Sequence, residues 1–112
     1  MSTTKETFDQ LNTALQADPR KVSGLVAVYQ FNLEGEDGGT YQIILKPDSA
    51  YAQEGAVETA NCTLTIAAED FKEMIAGTLS GTTAFMSGKL KIDGDLSLAL
   101  RLETVLHAYS QR

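Results

Sequence analysis

Few side chains in this sequence carry reactive chemistry, and their surroundings limit what each can do. Cys62 and His107 are the single cysteine and the single histidine. One cysteine cannot close an intrachain disulfide, and the two residues together cannot supply the ligands of a zinc ribbon or finger. Neither a metal site nor a cofactor is expected. Cys62 alternates inward on a strand, which makes it a small buried hydrophobe and not a thiolate activated at a helix N-terminus. His107 falls in the last turn of the last helix, where an imidazolium would meet the helix dipole favourably, and no triad accompanies it. Asp93 and Asp95 look like paired carboxylates, but flanking Gly94 they read as turn and cap residues; Glu69 and Asp70 read as helix-start charge. Gly77 to Gly81 lacks the Walker or dinucleotide pattern. Lys89 and Lys91 could meet an anionic head group, or simply solvate a strand edge. No catalytic residue is assigned.

Those residues sit on a chain of 112 positions, enough for one domain over 1–112. A 43% apolar and 21% charged composition is that of a globular protein with a core. The net charge of −6 repels phosphate backbones and anionic surfaces at long range, so nucleic acid is not an expected partner. No window approaches the roughly 20 apolar residues that span a bilayer, and the first residues lack a signal-peptide apolar region. Ser110-Gln111-Arg112 departs from a peroxisomal Ser-Lys-Leu address. A reducing cytoplasmic location is the expectation.

The elements that must position these residues follow from periodicity. Thr3 and Glu6 have capping-box spacing, Phe8, Leu11 and Leu15 form one helical stripe, and Pro19 ends the helix near Ala17. From Val22 the period becomes two, with Leu25, Ala27, Tyr29, Phe31 and Leu33 on one face. Gly35 to Gly39 is a hairpin connection, and Tyr41, Ile43 and Leu45 continue the alternation to Lys46. Pro47-Asp48-Ser49 turns into a short third strand, Ala50 to Glu54. Asn61 to Ala67 is a fourth, with Cys62, Leu64 and Ile66 inward. Glu69 to Ile75 is a short helix; Gly77 to Thr83 reads as loop. Gly88 to Ile92 is a brief fifth strand, and Asp95 caps a final helix, Leu96 to Tyr109.

Apolar residues on that last helix, including Leu96, Leu98, Ala99, Leu100 and Leu102, cover most of its circumference. Such a helix needs apolar neighbours on two sides: the sheet and first helix, a second copy of the chain, or a lipid cavity. Phe71, Met74, Ile75, Leu79, Phe85 and Met86 admit two readings as well, simple core or an adaptable cavity lining.

Ala60-Asn61-Cys62-Thr63-Leu64-Thr65-Ile66, then Asp70-Phe71, then Ala84-Phe85-Met86-Ser87-Gly88-Lys89-Leu90-Lys91-Ile92-Asp93-Gly94-Asp95, resembles the sterol carrier protein 2 family in order and spacing. Gly24 to Lys46 resembles the family's first hairpin less strictly. The resemblance implies an α+β fold: a five-stranded, largely antiparallel sheet with helices on one face, enclosing an apolar tunnel for fatty acid, fatty acyl-CoA or sterol. It implies lipid binding and transfer without turnover. Carried over by position, Phe71, Met74 and Ile75 fall on a tunnel-side helix, Phe85 and Met86 on the Ala-Phe-x-x-Gly stretch, and Leu98, Leu102 and Leu106 on the closing helix; Leu79 joins this lipid-binding set. Ser87 departs from a longer polar residue found in some members. Three functions are thus weighed: a lipid carrier with at most transient membrane contact, as a monomer or weak homodimer; an accessory module presenting lipid to a partner enzyme; and an acyl-thioester hydrolase depending on His107 or Asp95. On the first, Met86→Trp should plug the tunnel.

Overall fold

The computed structural model describes residues 3–18, 20 and 24–110, with side chains as far as Leu106; Pro19 and Val22 lie outside the described residues. Helix α1 spans Thr4–Ala17, and its start is the reciprocal cap that Thr3 and Glu6 encode: the Glu6 amide donates to Thr3 Oγ1 and the Thr3 amide to Glu6 Oε1. The helix exits at Asp18. Strands β1 (Ala27–Glu34), β2 (Gly39–Lys46) and β3 (Ser49–Glu54) form a meander. Strand β4 (Cys62–Ala67) then pairs with β1 and β5 (Leu90–Gly94) with β4, giving the order β3-β2-β1-β4-β5. All neighbours are antiparallel except β1 and β4. The sheet is open, and the remaining elements, α2 (Ala68–Ala76), α3 (Gly81–Met86) and α4 (Leu96–Ser110), pack with α1 over one face.

A parallel β1–β4 pair demands a connection that leaves edge strand β3 and crosses the sheet. Gln42 fixes that crossing. Fully buried on the face away from the helices, it accepts from the Val57 and Glu58 amides at 3.2 and 3.1 Å and donates to the Glu58 carbonyl at 2.8 Å and to Gln30 at 3.0 Å. Every polar atom of the side chain is used, which is what makes its burial tolerable. At the far end of the crossing, Asn61 accepts the Val28 amide, and Gly94 passes so close that a Cβ there would lie 2.5 Å from the Asn61 carbonyl oxygen. Only glycine fits.

On the helix-covered face, cross-strand rows run from aromatic to aliphatic. One row reads Tyr41, Phe31, Leu64, Ile92 across β2, β1, β4 and β5. Under α1 and α2 the aromatic end is solid: the Phe8 ring stacks between Tyr41 (4.3 Å) and Phe71 (5.2 Å), while Phe31 tilts against both phenylalanines. Ala50 and Ala52 let α1 lie close on β3, and Asn12 accepts the Ala52 amide, which covers the sheet edge.

Some sequence expectations change in detail: β5 runs on to Gly94 and does not end at Ile92. Residues 81–86 form a helix that begins inside the expected Gly77 to Thr83 loop, because Ser80 caps the Thr83 amide and Ser87 Oγ closes the other end on the Thr83 carbonyl. An open apolar pocket of about 130 Å³ lies at the β5 end, on the face where the resemblance implies a tunnel.

Candidate functional site

Three elements roof the pocket and two strands floor it. Leu64, Leu90 and Ile92 supply the floor; Met74 closes one side from α2; Gly81, Thr82 and Phe85 come from α3, and Leu96, Ala99, Leu100, Leu102 and Glu103 from α4. Leu96, Ala99, Leu100 and Glu103 follow i, i+3, i+4, i+7 spacing, so one stripe of α4 runs along the hollow. Leu64 and Leu90 of the floor are buried and Ile92 is half-buried; the rim is exposed. Phe85, Leu96 and Leu100 are 47%, 52% and 69% exposed, an apolar mouth of a kind that marks a binding surface.

The roof has its own fasteners. Glu103 Oε2 accepts the Gly81 amide at 2.9 Å, tying the start of α3 to α4. The segment carrying α3 begins at Gly77 and ends at Gly88, both with left-handed backbone (φ 87° and 82°), where residues with a Cβ are strained. On the sheet side, Tyr29 donates its hydroxyl to the Leu98 carbonyl at 2.7 Å, seating α4. Burial pushes the Tyr29 hydroxyl up to about 12, so it remains a donor at neutral pH.

Of the residues assigned from sequence, the structure brings Met74, Phe85 and Leu102 together around the pocket. Phe71 lies in the aromatic stack, and Leu106 is buried in the core away from the pocket lining. Ile75, Leu79 and Leu98 pack half-buried against that core. Met86 is 80% exposed and outside the lining. Leu96, Ala99 and Leu100 stand in the sequence on an apolar helix for which a lipid cavity is one possible neighbour, whereas Glu103 and the sheet floor carry no such signal.

The candidates for chemistry do not meet at this pocket. Cys62 is wholly buried on β4; burial first, then the carboxylates of Asp95 and Asp93, pushes its thiol up, which opposes a thiolate. Asp95 Oδ1 accepts the Ser97 amide as the cap of α4. Glu69 and Asp70 occupy the first turn of α2. The His107 side chain lies outside the described residues.

The relatives agree with this architecture. Hydroxysteroid dehydrogenase-like protein 2 of Rattus norvegicus is 40% identical over 109 residues, covering 96% of this chain and 20% of that protein. The chain thus spans about a fifth of the length of that curated relative. Sterol carrier protein 2 of Yarrowia lipolytica, in its apo form, superposes with a TM-score of 0.81 at 21% identity, over 97% of this chain and 93% of that one. Sterol carrier protein-2 of Aedes aegypti, solved in complex with C16 fatty acid (palmitate), gives 0.72 at 20% identity, over 97% and 99%. The profile of the SCP-2 sterol transfer family matches residues 8–107, and the chain belongs to that family.

Proposed function

We propose that the protein binds the hydrocarbon chain of a lipid in the α3–α4 pocket and carries it without chemical turnover. The observation that carries this reading is the pocket: buried aliphatic side chains of Leu64, Leu90 and Leu102 below an apolar rim open to solvent. Membership of the SCP-2 sterol transfer family and the palmitate complex of the Aedes aegypti protein support it.

At about 130 Å³ the pocket is smaller than the roughly 300 Å³ at which ligand sites begin. Loading therefore widens it, with α3 moving between Gly77 and Gly88. The empty form is tolerable: even a sealed void of this size would cost at most roughly 3 kcal/mol at about 24 cal/mol per Å³, within the reserve of a small domain. Each methylene that enters contributes about 0.8 kcal/mol, so ordering costs of several kcal/mol are offset by a medium-length chain. The exposed rim serves transient contact with a bilayer during exchange.

Ala99 faces the hollow, whereas Met86 does not, so the plugging substitution belongs at Ala99. Wild type, delipidated and titrated with a fluorescent long-chain fatty alcohol, should bind at micromolar concentration. Ala99→Phe should bind at least about tenfold more weakly with an unchanged circular dichroism spectrum. Equal binding by both proteins, or none by wild type, sinks the reading. Release of free acid from dodecanoyl-CoA, abolished by Asp95→Asn, would show turnover instead.

A second reading is favoured by the 20% share that this chain covers of its rat relative. There the matching region is one part of a longer protein named for a dehydrogenase. Presentation of bound lipid to a partner enzyme fits that arrangement, and Ala99→Phe separates the two roles because it removes lipid while leaving the outer surface intact.

A further inference from the structure

We propose that Glu103 selects the head group of the bound lipid, favouring a long-chain alcohol over the corresponding carboxylate. The inference rests on the lipid-carrier reading and adds the class of ligand. Among the described pocket-lining residues no lysine, arginine or histidine is present, and the one charged group is the Glu103 carboxylate. A bound fatty acid would therefore find no counter-ion among them. Its carboxylate would face another carboxylate across a short distance in a half-buried setting, where like-charge repulsion is stronger than in bulk water.

The two oxygens of Glu103 are not equivalent. Oε2 is held by the Gly81 amide at 2.9 Å, and Oε1 has no hydrogen-bond partner among the described residues. Gly81 lies against both neighbours: a Cβ built there would make ordinary contacts, 3.5 Å from Met74 Cε and 3.7 Å from the Glu103 carboxyl. The carboxylate is thus pinned by one oxygen beside an apolar wall while the other can accept. An alcohol hydroxyl donates to it; an ionised fatty acid has nothing to donate. Leu96 to Glu103 spans seven residues, about 10 Å of α4 at 1.5 Å per residue, so a chain laid along the stripe places its polar end at Glu103 and its methylenes against Ala99, Leu100 and Leu96. Specificity of this kind comes from repelling the wrong ligand as much as from holding the right one.

The test compares 1-decanol with decanoate at about pH 8, by calorimetry, on wild type, Glu103→Gln and Glu103→Asp. Wild type should bind decanol at least about tenfold more tightly. Glu103→Gln keeps an oxygen for the Gly81 amide and turns an amide donor outward, so decanoate should gain and the preference should fall to about twofold or less. Glu103→Asp keeps the charge and should keep the preference, which a merely structural role of the side chain would not predict. Equal binding of the two ligands by wild type, or an unchanged ratio in Glu103→Gln, overturns the assignment while leaving the carrier reading standing. Failure of wild type to bind either ligand overturns both. Ala99→Phe must weaken both ligands together; if it weakens neither, they bind elsewhere and Glu103 is not the selector.

Discussion

The two ends of the helix-covered sheet face differ in how they use the same row of strand positions. Under α1 and α2 the row presents Tyr41 and Phe31, and the rings of Phe8 and Phe71 fill the space above them. Under α3 and α4 it presents Leu64 and Ile92, and a hollow remains. The aromatic end is stabilised by dense contact and has no freedom left; the aliphatic end keeps apolar surface open to a guest. One sheet thus supplies both the rigidity that holds the fold and the slack that admits a ligand.

The sharpest way to break this contrast is to hollow the packed end. Phe71→Ala removes a ring that is 1% exposed and stacked on Phe8, and should cost about 3–5 kcal/mol in urea unfolding. A loss under about 1 kcal/mol would mean that this end is as yielding as the pocket. A smaller effect is expected at the seam. Tyr29→Phe deletes the bond to the Leu98 carbonyl and should cost about 1 kcal/mol near neutral pH. Because burial raises the Tyr29 hydroxyl from 10 to about 12, its contribution is complete below pH 10 and is lost as pH rises towards 12. Alkaline melts should therefore fall more steeply for wild type than for Tyr29→Phe.

Acid melts probe the clamp over the packed end. Lys72, and then the Thr4 amide, hold the Asp37 carboxyl below the ordinary value of 3.8, joining α1 and α2 to the β1–β2 turn. This stabilisation is complete above the ordinary value and lost as pH falls through the lower folded value. Wild type should be the more stable protein at neutral pH, and its advantage over Asp37→Asn should vanish in strong acid; an advantage that persisted there would show the clamp to be unimportant. The smallest change in stability belongs to the open end. Leu100→Ala, at a position 69% exposed, should shift unfolding by less than about 0.5 kcal/mol while weakening decanol binding several-fold. The same substitution made at Leu102, 1% exposed, would confound the two effects.

Much of the backbone was legible before any coordinates. The Thr3 and Glu6 cap, the two-residue alternation of β2 and β4, and the stripe of α1 are local signals that the fold keeps, while the alternation read from Val22 becomes strand β1 from Ala27. Helix α3 was not legible, because Gly81-Thr82-Thr83 offers neither apolar period nor helix propensity and depends on the Ser80 and Ser87 side-chain bonds. Gln42 was equally silent: a polar residue on an alternating strand reads as solvated, and only the crossing of residues 55–61 buries it.

The pocket shows the limit most clearly. Phe71 and Phe85 are the same residue type on neighbouring short helices, yet one is 1% exposed in the core and the other 47% exposed at the mouth. Leu100 and Leu102 diverge in the same way within one helix. Hydrophobic pattern alone determined which elements form and which faces seek burial, because those follow from local sterics and from the 2.0 and 3.6 residue periods. Which apolar residues meet rings, which meet a void, and that a glutamate stands at its edge were decided only when α3 and α4 were set above β4 and β5. That height is a property of packing between distant segments, and no short stretch of sequence encodes it.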